Sequence, residues 1–300
     1  MASKGVKIGL TYIITVIVTL IVFGFIGNVF IEMLLGNTAS EDTDADLLNQ
    51  SGTYTPSADD SKTLLAIADL GTKSTDLVFM LIRFLPEETQ GVFLSIPANT
   101  IAGETPDTLG SLYRTGSATA VKTALEYTLG LPVDKYIVLY ESSFTTFCNL
   151  FVGPTYVVPY NLIYTDPVSS EQTVILAETM YLDGNTVSQL AAFPAYKQGE
   201  EERARIAGEL LTTMLTSKLT TENSDLIESY FSTLINSTIV TDISRFDFEE
   251  SYPALLYSAQ HTDGFCRQIF PTLGMEADGN YSFDESFLSA LPVWFNTEVR

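Results

Sequence analysis

Residues 8–31 carry no charged side chain. A helix rising about 1.5 Å per residue would make that run roughly 36 Å long, against about 30 Å of hydrocarbon in a bilayer. The length predicts a transmembrane helix over residues 8–35. A cleavable signal peptide has an apolar stretch of only about 7 to 15 residues ahead of a small-residue cleavage site, so an uncleaved anchor is expected. Lys4 and Lys7 precede the run, and Glu32, Glu41, Asp42, Asp44 and Asp46 follow it. Lysines beside a span stay cytoplasmic. Residues 1–7 are therefore expected inside, with everything after the span outside, in a single-pass protein of the plasma membrane.

The chain has 15 Lys and Arg against 37 Asp and Glu, a net charge of −22. Setting aside Lys4, Lys7 and Glu32 leaves 13 basic and 36 acidic residues for the exterior. Such a field repels phosphate backbones, which are bound by clustered Lys and Arg, and this excludes nucleic acid as a partner. Residues 36–62 are rich in Ser, Thr, Asp and Gly and poor in large apolar groups. A segment of that kind cannot offset its own ordering entropy and reads as a flexible acidic stalk. Residues 63–300 are then one extracytoplasmic domain, for which a chain that is 46% hydrophobic supplies a core.

Cys148 and Cys266 are the only two cysteines, without the C-x-x-C spacing of a zinc or redox site. Outside the cell a disulfide between them is permitted and not required. The apolar setting of Cys148, between Phe147 and Asn149-Leu150-Phe151, also suits a small buried hydrophobe. The lone histidine, His261, sits in a polar stretch with no nucleophile signature beside it, which argues against a Ser-His-Asp site.

Short apolar runs at residues 63–70, 76–84 and 90–96, bounded by Gly, Pro or charge, predict buried strands. Between residues 116 and 129, Ala120, Val121, Ala124, Leu125 and Leu129 recur at three- and four-residue steps, and Gly130 supplies a stop. That spacing predicts an amphipathic helix. Strands are expected at 136–140 and 156–159 and helices at 142–150, 187–193, 200–219, 226–234 and 248–259. A strand at 269–270 and a short helix at 285–291 close the chain. Alternation of this kind predicts a single layered α/β domain with a central mixed sheet flanked by helices.

The order of these segments resembles the LytR-CpsA-Psr family over residues 64–295. Leu-Leu-Ala-Ile-Ala-Asp at 64–69 followed by Ser-Thr-Asp at 74–76 is similar to the family's first strand and "S-D-T" turn. Leu-Ser-Ile-Pro at 94–97 resembles "L-S-I-P-R-D". Leu-Gly-Leu-Pro-Val-Asp-Lys-Tyr-Ile-Val at 129–138 resembles "L-G-I-x-I-D-Y-Y-V". Val152-Gly153 with Val157-Val158-Pro159 resembles "G-G-V-x-V-x-V-P". Leu182-Asp183-Gly184, the helix around Arg203 and Thr241-Asp242-Ile243 complete the match.

The resemblance implies a phosphotransferase that takes a glycopolymer from a polyprenyl-pyrophosphate carrier and joins it to peptidoglycan. Such chemistry needs cations to neutralise the pyrophosphate and an apolar tunnel for the lipid tail. Mg²⁺ is the implied ion, because it takes one or two carboxylates together with phosphate oxygens. Asp69 and Asp76 stand at the family's metal positions, as the resemblance implies; without the resemblance each reads as an ordinary turn residue.

The chain departs from the family where an arginine and an aspartate should follow Pro97: Ala98 and Asn99 stand there. Lys73 is the basic residue between the two aspartates, a point charge rather than a fork. Arg203 and Arg205 stand in for the downstream catalytic arginine pair, behind Glu200, Glu201 and Glu202, whose other reading is a solvated first helical turn. Arg83 and Arg114, outside the family pattern, are further candidates for phosphate. The expected function is transfer. Its alternative is a catalytically degenerate relative that holds polyprenyl-phosphate lipid or wall polymer without transferring it.

Overall fold

The computed structural model describes residues 54–73 and 76–297. The expected span and most of the stalk lie outside the described residues, among which no helix is long and apolar enough to cross a membrane.

The first half of the domain runs β1 (Lys62–Asp69), β2 (Leu77–Leu85), β3 (Gln90–Ile96), α1 (Leu109–Thr115), α2 (Ala118–Leu129), β4 (Lys135–Tyr140) and α3 (Glu141–Asn149). Four short strands follow: β5 (Thr155–Val157), β6 (Leu162–Thr165), β7 (Gln172–Ile175) and β8 (Thr179–Tyr181). Next come α4 (Gly184–Ala191), α5 (Gly199–Lys218), α6 (Ile227–Ile235), β9 (Ile239–Thr241) and α7 (Arg245–His261). The chain closes with β10 (Cys266–Ile269), β11 (Leu273–Met275), β12 (Tyr281–Phe283) and α8 (Glu285–Trp294).

A six-stranded sheet in the order β10-β3-β2-β1-β4-β9 forms the middle layer. β1 pairs antiparallel with β2 and parallel with β4, so the sheet is mixed. Successive residues of a strand point to opposite faces, and both faces of β1 and β2 are apolar, as expected for strands covered on two sides. On one face Leu65, Ile67, Leu77, Phe79, Leu81 and Leu94 are fully buried under α1, α2 and α8. On the other, Ala68, Val78, Met80, Phe93, Ile137 and Leu139 meet α3, α4, α5 and α7. We call these the α2 face and the α5 face.

Lys62, the last residue of the expected stalk, already begins β1, and the described chain before it is anchored to the domain. The ring of Tyr54 lies edge-on to that of Tyr257, 5.9 Å between centroids, and Ser57 caps a 3-10 turn at Ala58–Asp60. One aromatic contact and one capped turn order a segment whose composition is that of a stalk. Cys148 and Cys266 are both free thiols. Burial pushes each up to about 12.

The Leu-Asp-Gly segment at 182–184 has a packing explanation. Leu182 is fully buried, the Asp183 side chain accepts from the Thr186 amide at 2.8 Å to cap α4, and a Cβ on Gly184 would collide with the Thr145 carbonyl of α3. That amide bond holds the Asp183 carboxyl below its usual range. A depressed carboxylate stabilises above its unfolded pKa, about 3.9, and ceases to do so as pH falls through the folded value. Asp183→Ala should therefore cost about 1 kcal/mol at pH 7. Urea midpoints of variant and parent should draw together as pH falls below the unfolded carboxyl value, about 3.9; a difference that persists undiminished through the acid range would reject the capping account.

Candidate functional site

Asp69 ends β1 on the α2 face. Its partner came from a place the sequence did not indicate: Arg114 of α1 grips it with both guanidinium arms, at 2.7 and 2.8 Å. Tyr113 also donates to Asp69, at 3.2 Å. The same Arg114 nitrogen reaches the carbonyls of Gly71 and Lys73, so one guanidinium fastens the turn that leaves β1. Burial, followed by the negative charge of Asp69, pushes the Tyr113 hydroxyl up from its ordinary pKa. A cleft of about 310 Å³ opens beside this pair, walled by Tyr136, Tyr140 and Ser117.

Asp76 closes the turn from its far end. Its carboxylate accepts from the Lys73 amide at 2.8 Å and fills the space above Gly71 that any Cβ would need. The Lys73 side chain itself is exposed. The implied divalent ion can be tested on this donor set. Both Asp69 oxygens are held by a guanidinium that already balances the charge, and among the described residues no group of three or more His, Cys, Asp or Glu converges. The residues as arranged do not fit a divalent ion, which would have to displace Arg114.

Arg203 lies on the opposite side of the sheet, in α5, and is only 2% exposed. It donates to Glu200 at 2.6 and 3.0 Å, to the Ala191 carbonyl that ends α4 at 3.0 Å, and to the Leu77 carbonyl that begins β2 at 2.8 Å. Because Leu77 follows Asp76, Arg203 does approach the same turn, from below. Arg205 pairs with Glu209 and, at 3.7 Å, with Glu202. Glu202 is 4% exposed and also accepts from Tyr160 at 2.7 Å and from the Gln198 amide at 2.9 Å. The acidic turn thus pairs locally with the arginines, as expected, yet Glu202 and Arg203 are buried rather than solvated. Tyr156, Tyr160, Glu202, Arg205 and Glu209 form one bonded cluster that no sequence motif announced.

Arg83 is not brought to this region. It pairs with Thr63 at the far end of β1, six residues from the Asp69–Leu77 pair, or about 20 Å along the strands. Its guanidinium donates to the Phe295 carbonyl at 3.1 Å and to Thr63 at 3.2 Å, and burial lowers its pKa. Ala98 is buried, and the Asn99 amide donates to the Gly279 carbonyl at 3.0 Å, so neither replaces the family's missing charges.

The α5 face holds a second feature. A chamber of about 150 Å³ runs between the sheet and α3, α5 and α6, bounded by Ala66, Met80, Ile137, Phe147, Leu211 and Phe231 among other apolar side chains. Leu64, Ile82, Phe147, Leu215 and Phe231 also line a more open groove of about 350 Å³ that continues toward Phe84, Leu219 and Phe265. The expected apolar tunnel therefore has a counterpart, on the face away from the Asp69 carboxylate.

No family model matches the chain, and no curated protein sequence does. Solved structures match its fold. A protein of Eubacterium siraeum described as a transcription regulator has 18% identity, covering 83% of this chain and 96% of its own, with a TM-score of 0.74. TagV of B. subtilis has 18% identity, covering 79% and 98%, with a TM-score of 0.59. TagT bound to LI-WTA has 16% identity, covering 82% and 95%, with a TM-score of 0.56. TagT, TagU and TagV are LytR-CpsA-Psr proteins. At these identities the likeness is one of fold: the chain shares with these structures an α/β domain whose mixed sheet is flanked by helices.

Proposed function

We propose that this protein is a cell-envelope phosphotransferase-like protein whose α5-face chamber receives the tail of a polyprenyl-pyrophosphate carrier, and which passes the linked glycopolymer to peptidoglycan. The chamber carries the reading. An apolar space left open inside an otherwise close-packed domain forgoes dispersion contacts, and a hydrocarbon chain would restore them at about 0.8 kcal/mol per buried CH₂. TagT, which shares the fold, has been observed with a wall teichoic acid precursor. The apolar run at residues 8–31 supports tethering of the domain to the outer face of the plasma membrane, where such carriers present their polymer.

One observation favours the second reading, binding without transfer. The guanidiniums nearest the β1–β2 turn are already committed, Arg114 to Asp69 and Arg203 to Glu200, and Ala98 offers no charge. Losing one preorganised charge-stabilising group commonly lowers a rate about 10²- to 10³-fold. The test uses the full-length chain in detergent with a polyprenyl-pyrophosphate-linked saccharide and peptidoglycan, with and without Mg²⁺. Transfer forms a phosphodiester on the acceptor hydroxyl and releases polyprenyl monophosphate, the expected product. Tight lipid binding without that product would establish the second reading, and a chain that binds no polyprenyl lipid would sink both.

A further inference from the structure

We infer that the cleft beside Asp69 is a subsite for an uncharged sugar ring. It deepens the function proposed above and rests on it only for the source of the sugar. The parallel register of β1 and β4 sets Tyr140 opposite Asp69 and Tyr136 opposite Leu65, which places both tyrosines on the face that carries the Asp69 carboxylate. Tyr113 and Arg114 from α1, and Ser117 ahead of α2, form the facing wall. A volume of about 310 Å³ lies at the small end of ligand sites, room for a ring or two and not for a polymer.

The chemistry of the lining selects the ligand class. The bidentate Asp69–Arg114 pair is neutral as a unit, so it attracts neither a phosphate nor a cation strongly. It still offers polar contacts. The two-oxygen Asp69 carboxylate retains a lone pair beyond the three bonds it accepts. Tyrosine rings add apolar faces with polar rims. A sugar ring matches both halves: its C–H face packs on an aromatic ring while its hydroxyls meet the carboxylate, guanidinium and serine. The acidic exterior, 36 carboxylates against 13 basic groups once Lys4, Lys7 and Glu32 are set aside, disfavours a polyanionic ligand in the same place.

The test is saturation-transfer NMR on the full-length chain in detergent, with chitobiose as the neutral probe and inorganic pyrophosphate as the anionic one. Chitobiose should bind, Tyr140→Ala should weaken it at least tenfold, and Tyr140→Phe, which keeps the ring, should bind nearly as the parent does. Tyr140 is 37% exposed, so its truncation leaves the core intact. Polyprenyl phosphate, held on the opposite face of the sheet, should bind all three proteins alike; its failure to bind the parent would count against the proposed function and not against the cleft. A polyprenyl-pyrophosphoryl sugar separates the sources. If Tyr140→Ala weakens it relative to the bare lipid, the ring belongs to the carrier; if only chitobiose is affected, it belongs to the acceptor glycan. Chitobiose binding unmoved by Tyr140→Ala and Tyr136→Ala, or chitobiose displaced by pyrophosphate, would overturn the assignment.

Discussion

Arg203→Met should destabilise the domain by about 3 to 5 kcal/mol, the usual result of removing one partner from a buried ion pair. Methionine keeps most of the side-chain length and none of the bonds. Glu200, 17% exposed at its side chain, would lose its counter-charge, and the carbonyls of Ala191 and Leu77 would be left without that donor. These carbonyls belong to the end of α4 and the start of β2, so the guanidinium ties two elements of the α5 face together. Arg203→Lys should recover little, because an ammonium cannot span a carboxylate and two carbonyls in fixed directions. Adding Glu200→Gln to Arg203→Met should recover part of the loss, since the buried charge is then gone, and the two effects should be plainly non-additive. A fall in urea-derived stability below about 1 kcal/mol would show that the pair is not the tie described here.

The same residue marks what could be read from the chain and what could not. The i, i+3 spacing of Glu200 and Arg203 made their pairing legible; burial was not, because it depends on α4 and β2 arriving from elsewhere. The strands β1 to β4 were visible to within about two residues, since each is a short apolar run closed by Gly, Pro or charge. The β5–β8 pair and the β6–β7 hairpin were mostly missed because each strand has only three or four residues and at least half of them are exposed, too little for an apolar face to repeat at period two. Arg114 stands 45 residues from Asp69 in sequence, and no motif links the two. Its role follows only from α1, a helix of one amide cap and seven residues too short to leave a periodic signal. Arg83 shows the converse error. It lies seven residues after Asp76 in sequence, but antiparallel pairing carries β2 back alongside β1, so distance along the strand becomes distance from the site.

The chamber was expected from resemblance alone, and its physical origin is in two small side chains. On its α5 face β1 presents Ala66 and Ala68, while its α2 face presents Leu65 and Ile67. Alanines under the long helices leave the space that Met80, Leu211 and Phe231 border without filling. Ala66→Phe should therefore close it. A phenyl group would occupy much of a chamber of about 150 Å³, and because the space already exists, the substitution should not impose the overpacking penalty of about 1 to 3 kcal/mol seen in a filled core. Excluding even five methylenes of a polyprenyl tail forfeits about 4 kcal/mol, which is close to a thousandfold in affinity. Polyprenyl phosphate binding by the full-length chain in detergent should fall by that order while the urea midpoint holds or rises. Chitobiose binding at the Tyr140 cleft, on the other face, should not change. If Ala66→Phe folds with parental stability and still binds the lipid as tightly, the tail lies elsewhere and the chamber has no part in holding it.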